Sequence, residues 1–103
     1  MRAVLLTEFG PPGVLVATDL PDPRPSAGQV VVRVAFANIT FVETQVRAGR
    51  GPGPAGSLVP PFVPGNGVGG TVTAVGPGVD PGLLGRRVVT ATGGAGGYAE
   101  AVA

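Results

Sequence analysis

Residues Pro60–Asp80 read PPFVPGNGVGGTVTAVGPGVD, and the way this stretch folds decides what the rest of the chain builds. It opens in prolines, runs through closely spaced glycines, becomes β-branched and closes at Gly76-Pro77-Gly78. Gly65-Asn66-Gly67-Val68-Gly69-Gly70 fits the pattern G-x-G-x-x-G. A dinucleotide site places that pattern between a strand and a helix, so that helix-end amides face the pyrophosphate. Neither flank suits it here. Pro60-Pro61-Phe62-Val63-Pro64 is a poor central strand, because proline cannot donate to a sheet ladder. Thr71-Val72-Thr73-Ala74-Val75 is mostly β-branched and disfavours helix. No acid stands at the spacing of a ribose contact. The stretch therefore predicts a Gly-rich β-corner followed by a strand over 71–75. Gly94-Ala95-Gly96-Gly97-Tyr98-Ala99 is a second partial match, and no helix follows it either.

On the N-terminal side, Ala3–Leu6 reads as an opening strand and Phe9–Gly13 as a turn. Val14–Leu20 then suggests a second strand returning beside the first. Pro21-Asp22-Pro23-Arg24-Pro25 is extended, since each proline biases its predecessor away from helix. Val30–Ala37 is the strongest strand, with Val30, Val32, Val34 and Phe36 on one apolar face and Val31, Arg33 and Ala35 on a mixed one. Only Phe41–Ala48 reads as helical. Thr40-Phe41-Val42-Glu43 has the form of a capping box, Arg47 suits the last turn and Gly49 the stop. Arg50–Ser57 is a surface loop. On the C-terminal side come the turn Val79–Gly82, a strand over Arg86–Thr92, and an alternation from Tyr98 to Ala103 that looks like a strand cut off as it begins. Met1 is a plausible start, whereas Ala103 does not read as a natural end.

The 103 residues suffice for one domain with a modest core, and no linker or repeat divides them. Glycine and proline supply 19 and 12 of them, a level found in low-complexity chains. Yet 44% of residues are hydrophobic and only 13% charged, and the prolines fall between apolar runs, which is the punctuation of a β-rich globular domain. Net charge is +1, with seven arginines and no run of them, so no footprint for nucleic acid or an anionic membrane is expected. With no Cys and no His, neither a disulfide framework nor an ordinary zinc site is expected. No apolar run approaches membrane-spanning length, and the apolar stretch before Glu8 is short for a signal peptide. The expectation is a soluble, cytoplasmic protein, in which the sequon Asn38-Ile39-Thr40 is a chance match.

The candidate site residues each carry two readings. Thr40 and Glu43 suit polar chemistry, and a capping box accounts for both. Arg47 is an anion clamp or a partner of the helix dipole. Tyr98 is a proton donor or a packing residue of an alternating strand. No Ser/His/Asp set or Cys nucleophile is present, so the residues alone show no self-sufficient active site.

In order along the chain, MRAVLLTEFGPPGVL, VVVRVAFANITFVETQVRAG, VPGNGVGGTVTAVGPGV, GRRVV and GGYAEAV resemble the N-terminal half of medium-chain dehydrogenase/reductases. The nearest branch is the zinc-independent quinone oxidoreductases. The resemblance implies a mainly β, GroES-like, partly open β-barrel with one short helix at about 40–48, a substrate-side domain spanning 1–103. In longer members a Rossmann domain follows and binds NADPH, and hydride passes to a quinone, enone or related carbonyl in the cleft between the domains. Carried over by motif, Thr40 stands where an Asn near nicotinamide and substrate is usual, giving it a catalytic and cofactor-contacting role. Gln45 takes the place of a substrate-facing Tyr, as a second catalytic, carbonyl-orienting group. Glu43, Arg47 and Asn66 are the implied substrate-binding residues. Gly65-Asn66-Gly67 matches the Gly-His-Glu of zinc alcohol dehydrogenases with Asn66 for His and Gly67 for Glu, so no metal is expected. Gly85-Arg86-Arg87-Val88 matches Gly-Asp-Arg-Val, with Arg86 for Asp.

The sequence thus points to the catalytic-side domain of an NADPH-dependent, zinc-independent oxidoreductase, as a fragment of a longer enzyme or a shortened stand-alone relative. This segment alone is expected to be inactive. Its partners are a small carbonyl or quinone substrate and a Rossmann domain in cis or trans, with a homodimer as a candidate assembly. The alternative is a non-catalytic β-module used for binding or assembly.

Overall fold

The computed structural model describes residues 1–51 and 58–103, so most of the expected Arg50–Ser57 loop lies outside the described residues. The elements are β1 (Arg2–Leu6), β2 (Leu15–Asp19), β3 (Val30–Ala37), α1 (Phe41–Arg47), β4 (Gly67–Val75), β5 (Arg87–Ala91) and β6 (Ala101–Val102). Short 3-10 turns at Pro12–Val14 and Pro81–Leu83 lead into β2 and towards β5. Both begin at proline, whose fixed φ suits a first helical position.

The strands form two antiparallel sheets, β1-β2 and β5-β4-β3-β6. The sheets are stitched rather than closed. Single bridges pair Ala3 with Ala99 and Leu6 with Phe62, and the Val4 amide donates to the Tyr98 carbonyl at 2.8 Å. The result is a mainly β, GroES-like architecture of open sheets, short of a closed barrel. Leu6, Val14, Val32, Val46, Val68 and Val72 are buried and form much of the core. Burying a side chain of this size contributes about 1.5–3 kcal/mol each.

Two expectations change. Strict alternation along β3 fails, because the pairing with β4 slips between Val31 and Val32 and again between Val34 and Phe36. The first slip puts its extra residue, Thr73, on β4, whereas the second puts Ala35 on β3 and so reverses the facing of the β3 residues beyond it. Val31 and Val32, neighbours in an uninterrupted part of β3, are both buried, while Phe36 beyond the Ala35 bulge turns outward and is 77% exposed. The second change concerns the glycines. Gly67–Gly70 are part of β4, which begins four residues before Thr71, so only Gly65 and Asn66 remain as the corner. A Cβ on Gly70 would lie 2.0 Å from the Arg33 carbonyl oxygen, so glycine there lets β3 and β4 meet at the bulge. Smaller differences trim the ends: Val14 closes a 3-10 turn, β2 stops at Asp19, and β5 spans 87–91.

Candidate functional site

Helix α1 starts where sequence chemistry starts it. Thr40 is its extended N-cap, and Thr40 with Glu43 forms the capping box. The Thr40 amide donates to Glu43 Oε2 at 2.8 Å, and the Thr40 hydroxyl donates to the same oxygen. The other carboxylate oxygen, Oε1, accepts from the Asn66 amide at 3.3 Å. Glu43 therefore ties the helix start to the Gly65-Asn66 corner, 23 residues away in the chain. It is 9% exposed.

Asn66 fastens the same corner on its other side. Its carbonyl accepts from the Thr92 amide at 2.6 Å, and its Oδ1 accepts from the Gly94 amide at 2.7 Å. The corner itself requires glycine: Gly65 has φ +100°, and a Cβ there would meet the Tyr98 ring at 2.5 Å. Gly67 carries the third constraint, since a Cβ there would lie 2.7 Å from Asn38 Nδ2.

These contacts frame a pocket of about 440 Å³ between the start of α1, the corner and the end of β5. Asn38, Thr40, Glu43, Asn66 and Thr90 supply its polar lining, and Val42 and Val89 are among its apolar lining residues. Burial acts to raise the pKa of Glu43. Hydrogen bonds from the Thr40 hydroxyl and amide, its own amide and the Asn66 amide outweigh that and hold the carboxyl below its ordinary value. Glu43 is thus a charged structural acceptor at neutral pH, poorly suited to deliver a proton. Burial, followed by the Glu43 charge, pushes the Tyr98 phenol above its ordinary value.

The structure brings Thr40, Glu43 and Asn66 together and places Gln45 and Arg47 elsewhere. Gln45 Oε1 accepts from Arg50 Nε at 3.2 Å, beyond the described lining of the pocket. Arg47 faces the N-terminal turn: its Nε donates to the Gly10 carbonyl at 3.0 Å, and the Gly10 amide donates back to the Arg47 carbonyl at 2.9 Å. Asn38 and Thr90 join the lining without having been singled out in the sequence. Asn38 stood out only as the head of a sequon, and its place at the pocket depends on β3–β4 register, which is a non-local property. Among the described residues, no three of His, Cys, Asp and Glu cluster as metal ligands, and no helix is long and apolar enough to cross a membrane.

Residues 26–103 match the alcohol dehydrogenase GroES-like domain. The chain belongs to that family. This GroES-like domain is 38% identical over 104 residues to human quinone oxidoreductase, covering 97% of the chain and 30% of that relative. Its fold superimposes on human synaptic vesicle membrane protein VAT-1 homolog-like protein with a TM-score of 0.90 at 32% identity, covering 99% of the chain and 32% of that structure. The quinone oxidoreductase of Thermus thermophilus, whose structure is also known in complex with NADPH, matches with a TM-score of 0.78 at 34% identity. That match covers 99% of the chain and 29% of the Thermus protein. The GroES-like domain thus spans about 30% of the length of the curated relatives it matches. The family match begins at Ser26, yet the structural match takes in β1 and β2 as well, so the N-terminal sheet is part of the shared fold.

Proposed function

We propose that this domain is the catalytic side of an NADPH-dependent, zinc-independent oxidoreductase that reduces a quinone, enone or related carbonyl. The observation that carries the reading is the pocket at the α1 N-terminus. The motif positions matched to the quinone oxidoreductase branch, Thr40, Glu43 and Asn66, converge there on one hydrogen-bonded frame. The Gly65–Gly70 stretch does not form a pyrophosphate cradle. Gly67–Gly70 lie within β4, so the Gly-rich motif leads into a strand and not into the helix that a dinucleotide motif needs. The cofactor's phosphates would therefore be held by a nucleotide-binding domain in cis or trans, and this chain would meet only the nicotinamide end, beside Thr40. When bound, NADPH supplies a hydride and leaves as NADP⁺, while solvent supplies the proton that completes reduction of the carbonyl.

The domain's own contribution is positioning. Thr40, fixed by the capping box, borders the reacting centre, and Glu43 and Asn66 hold the wall in shape. Val42 and Val89 give a flat ring an apolar surface to lie against. Gln45 would orient the carbonyl from the next turn of α1, once its contact with Arg50 is released. Arg47 supports the helix from behind through Gly10. A cytoplasmic setting and a homodimer belong to the same proposal.

The test joins the chain to a nucleotide-binding domain, or supplies one in trans, and follows NADPH absorbance with benzoquinone or an enone present. Acceptor-dependent oxidation of NADPH is expected. A joined protein that binds NADPH yet oxidises it with none of these acceptors would overturn the reading in favour of a non-catalytic module.

A further inference from the structure

We propose that Asn38 supplies the side-chain hydrogen bond that recognises the substrate's carbonyl oxygen in this pocket; the inference rests on the oxidoreductase reading of the site. The polar groups around the pocket are largely committed. Thr40 gives its hydroxyl proton to Glu43, whose two oxygens take three donors. Asn66 has its side-chain oxygen held by Gly94, which leaves its Nδ2 as the rival donor to Asn38, and Thr90 donates its hydroxyl to the Ala91 carbonyl at 3.1 Å. Asn38 is exposed at the pocket, and among the described residues its side-chain amide has neither donor nor acceptor engaged. The group is well anchored nonetheless. Its backbone amide donates to the Gly67 carbonyl at 2.8 Å, which fixes the residue one step beyond β3.

Gly67 gives that amide its place. Asn38 Nδ2 lies 2.7 Å, and its Cβ and Cγ each 3.3 Å, from where a Cβ of residue 67 would stand. Any side chain at 67 would displace the amide, so Asn38 and Gly67 act as a pair. A carboxamide N–H held at a pocket wall is a fit donor for an oxygen that gains negative charge during hydride transfer, and it needs no change of protonation to act. Exposed Val42 and Val89 beside it favour a flat, mainly apolar ring bearing the carbonyl over a charged or sugar-like ligand.

The experiment is a titration of the uniformly ¹⁵N-labelled full chain with a water-soluble benzoquinone, followed by amide correlation spectra. The chain has no Cys or Lys to be alkylated by it. The Asn38 side-chain NH₂ pair is expected to shift together with the backbone amides of Thr40, Asn66 and Gly67. Asn38→Ala and Asn38→Asp, both lacking the donor, should weaken binding about three- to tenfold. Gly67→Ala should do the same while leaving the Asn38 amide present. Shifts at Thr40 and Asn66 with the Asn38 side chain silent, or with the Asn66 side chain moving instead, would overturn the role of Asn38 and leave the site standing. No shift at any of these positions in the wild-type chain would overturn the site reading itself. The wild-type spectra decide between these outcomes even if a variant fails to fold.

Discussion

Glu43 is one side chain with two duties, start of a helix and anchor of a corner, and its ionisation couples them to pH. Its folded pKa is depressed, so its stabilising effect is fully present above the ordinary glutamate value of about 4.3 and is lost as pH falls through the lower folded value. Stability should therefore fall on the acid side of that window. In Glu43→Gln the amide would set a donor against the Thr40 or Asn66 N–H. We expect a loss of about 1–3 kcal/mol at neutral pH and a shallower acid limb, read from urea midpoints measured across pH. An acid limb unchanged by the substitution would remove Glu43 from this role. Gly70 makes a second test at this scale. Its missing Cβ leaves room for the Arg33 carbonyl, so Gly70→Ala should cost about 1–3 kcal/mol by forcing β3 and β4 apart, visible as a lowered thermal midpoint.

Among the elements, α1 shows how local chemistry and tertiary support combine. Seven residues are too few to hold as an isolated helix, so the cap and the packing of Val46 must maintain it. Thr40→Ala should cost about 1 kcal/mol and speed amide exchange in 41–48, while Thr40→Ser should recover most of the loss. Equal exchange in the two variants would show that the cap is dispensable. This helix was legible in the sequence because its signals, Thr40, Glu43, Arg47 and Gly49, all lie within one short window. The strand core of Val30–Ala37 was legible for the same reason. Its facing was not, because the bulges are set by what β4 presents across the ladder. The start of β4 was hidden similarly. Glycine lowers strand propensity locally, and the need for it at 67 and 70 comes from Asn38 and Arg33, far earlier in the chain. The site followed the same division. Thr40 and Glu43 announced themselves by spacing, Asn66 entered by resemblance, and Asn38 became visible only once the strands were paired. Arg47 reads locally as a clamp or a dipole partner, and its actual contact, Gly10, lies across the chain.

As a whole, the molecule leaves apolar surface in the open. Phe36 and Val89 flank Gly69 directly across the ladder on the outer face of the four-stranded sheet, and Val89 on the edge strand β5 is 86% exposed. Edge strands bearing exposed apolar side chains invite association. The chain by itself should therefore self-associate as its concentration rises, and Val89→Lys should reduce that without altering the far-ultraviolet circular dichroism. Sedimentation velocity checks both, and a concentration-independent monomer for the unsubstituted chain would refute the expectation. The stitching of the two sheets has a further consequence, for biosynthesis. β1 takes its place against residues 98–100, with the Glu100 amide donating to the Arg2 carbonyl. On a ribosome adding about 5–20 residues per second, the first strand waits on the order of 5–20 s for these neighbours to be made. Throughout that interval the nascent chain holds the apolar run Ala3–Leu6 without its final partner, and this is the window in which a chaperone would have most to protect.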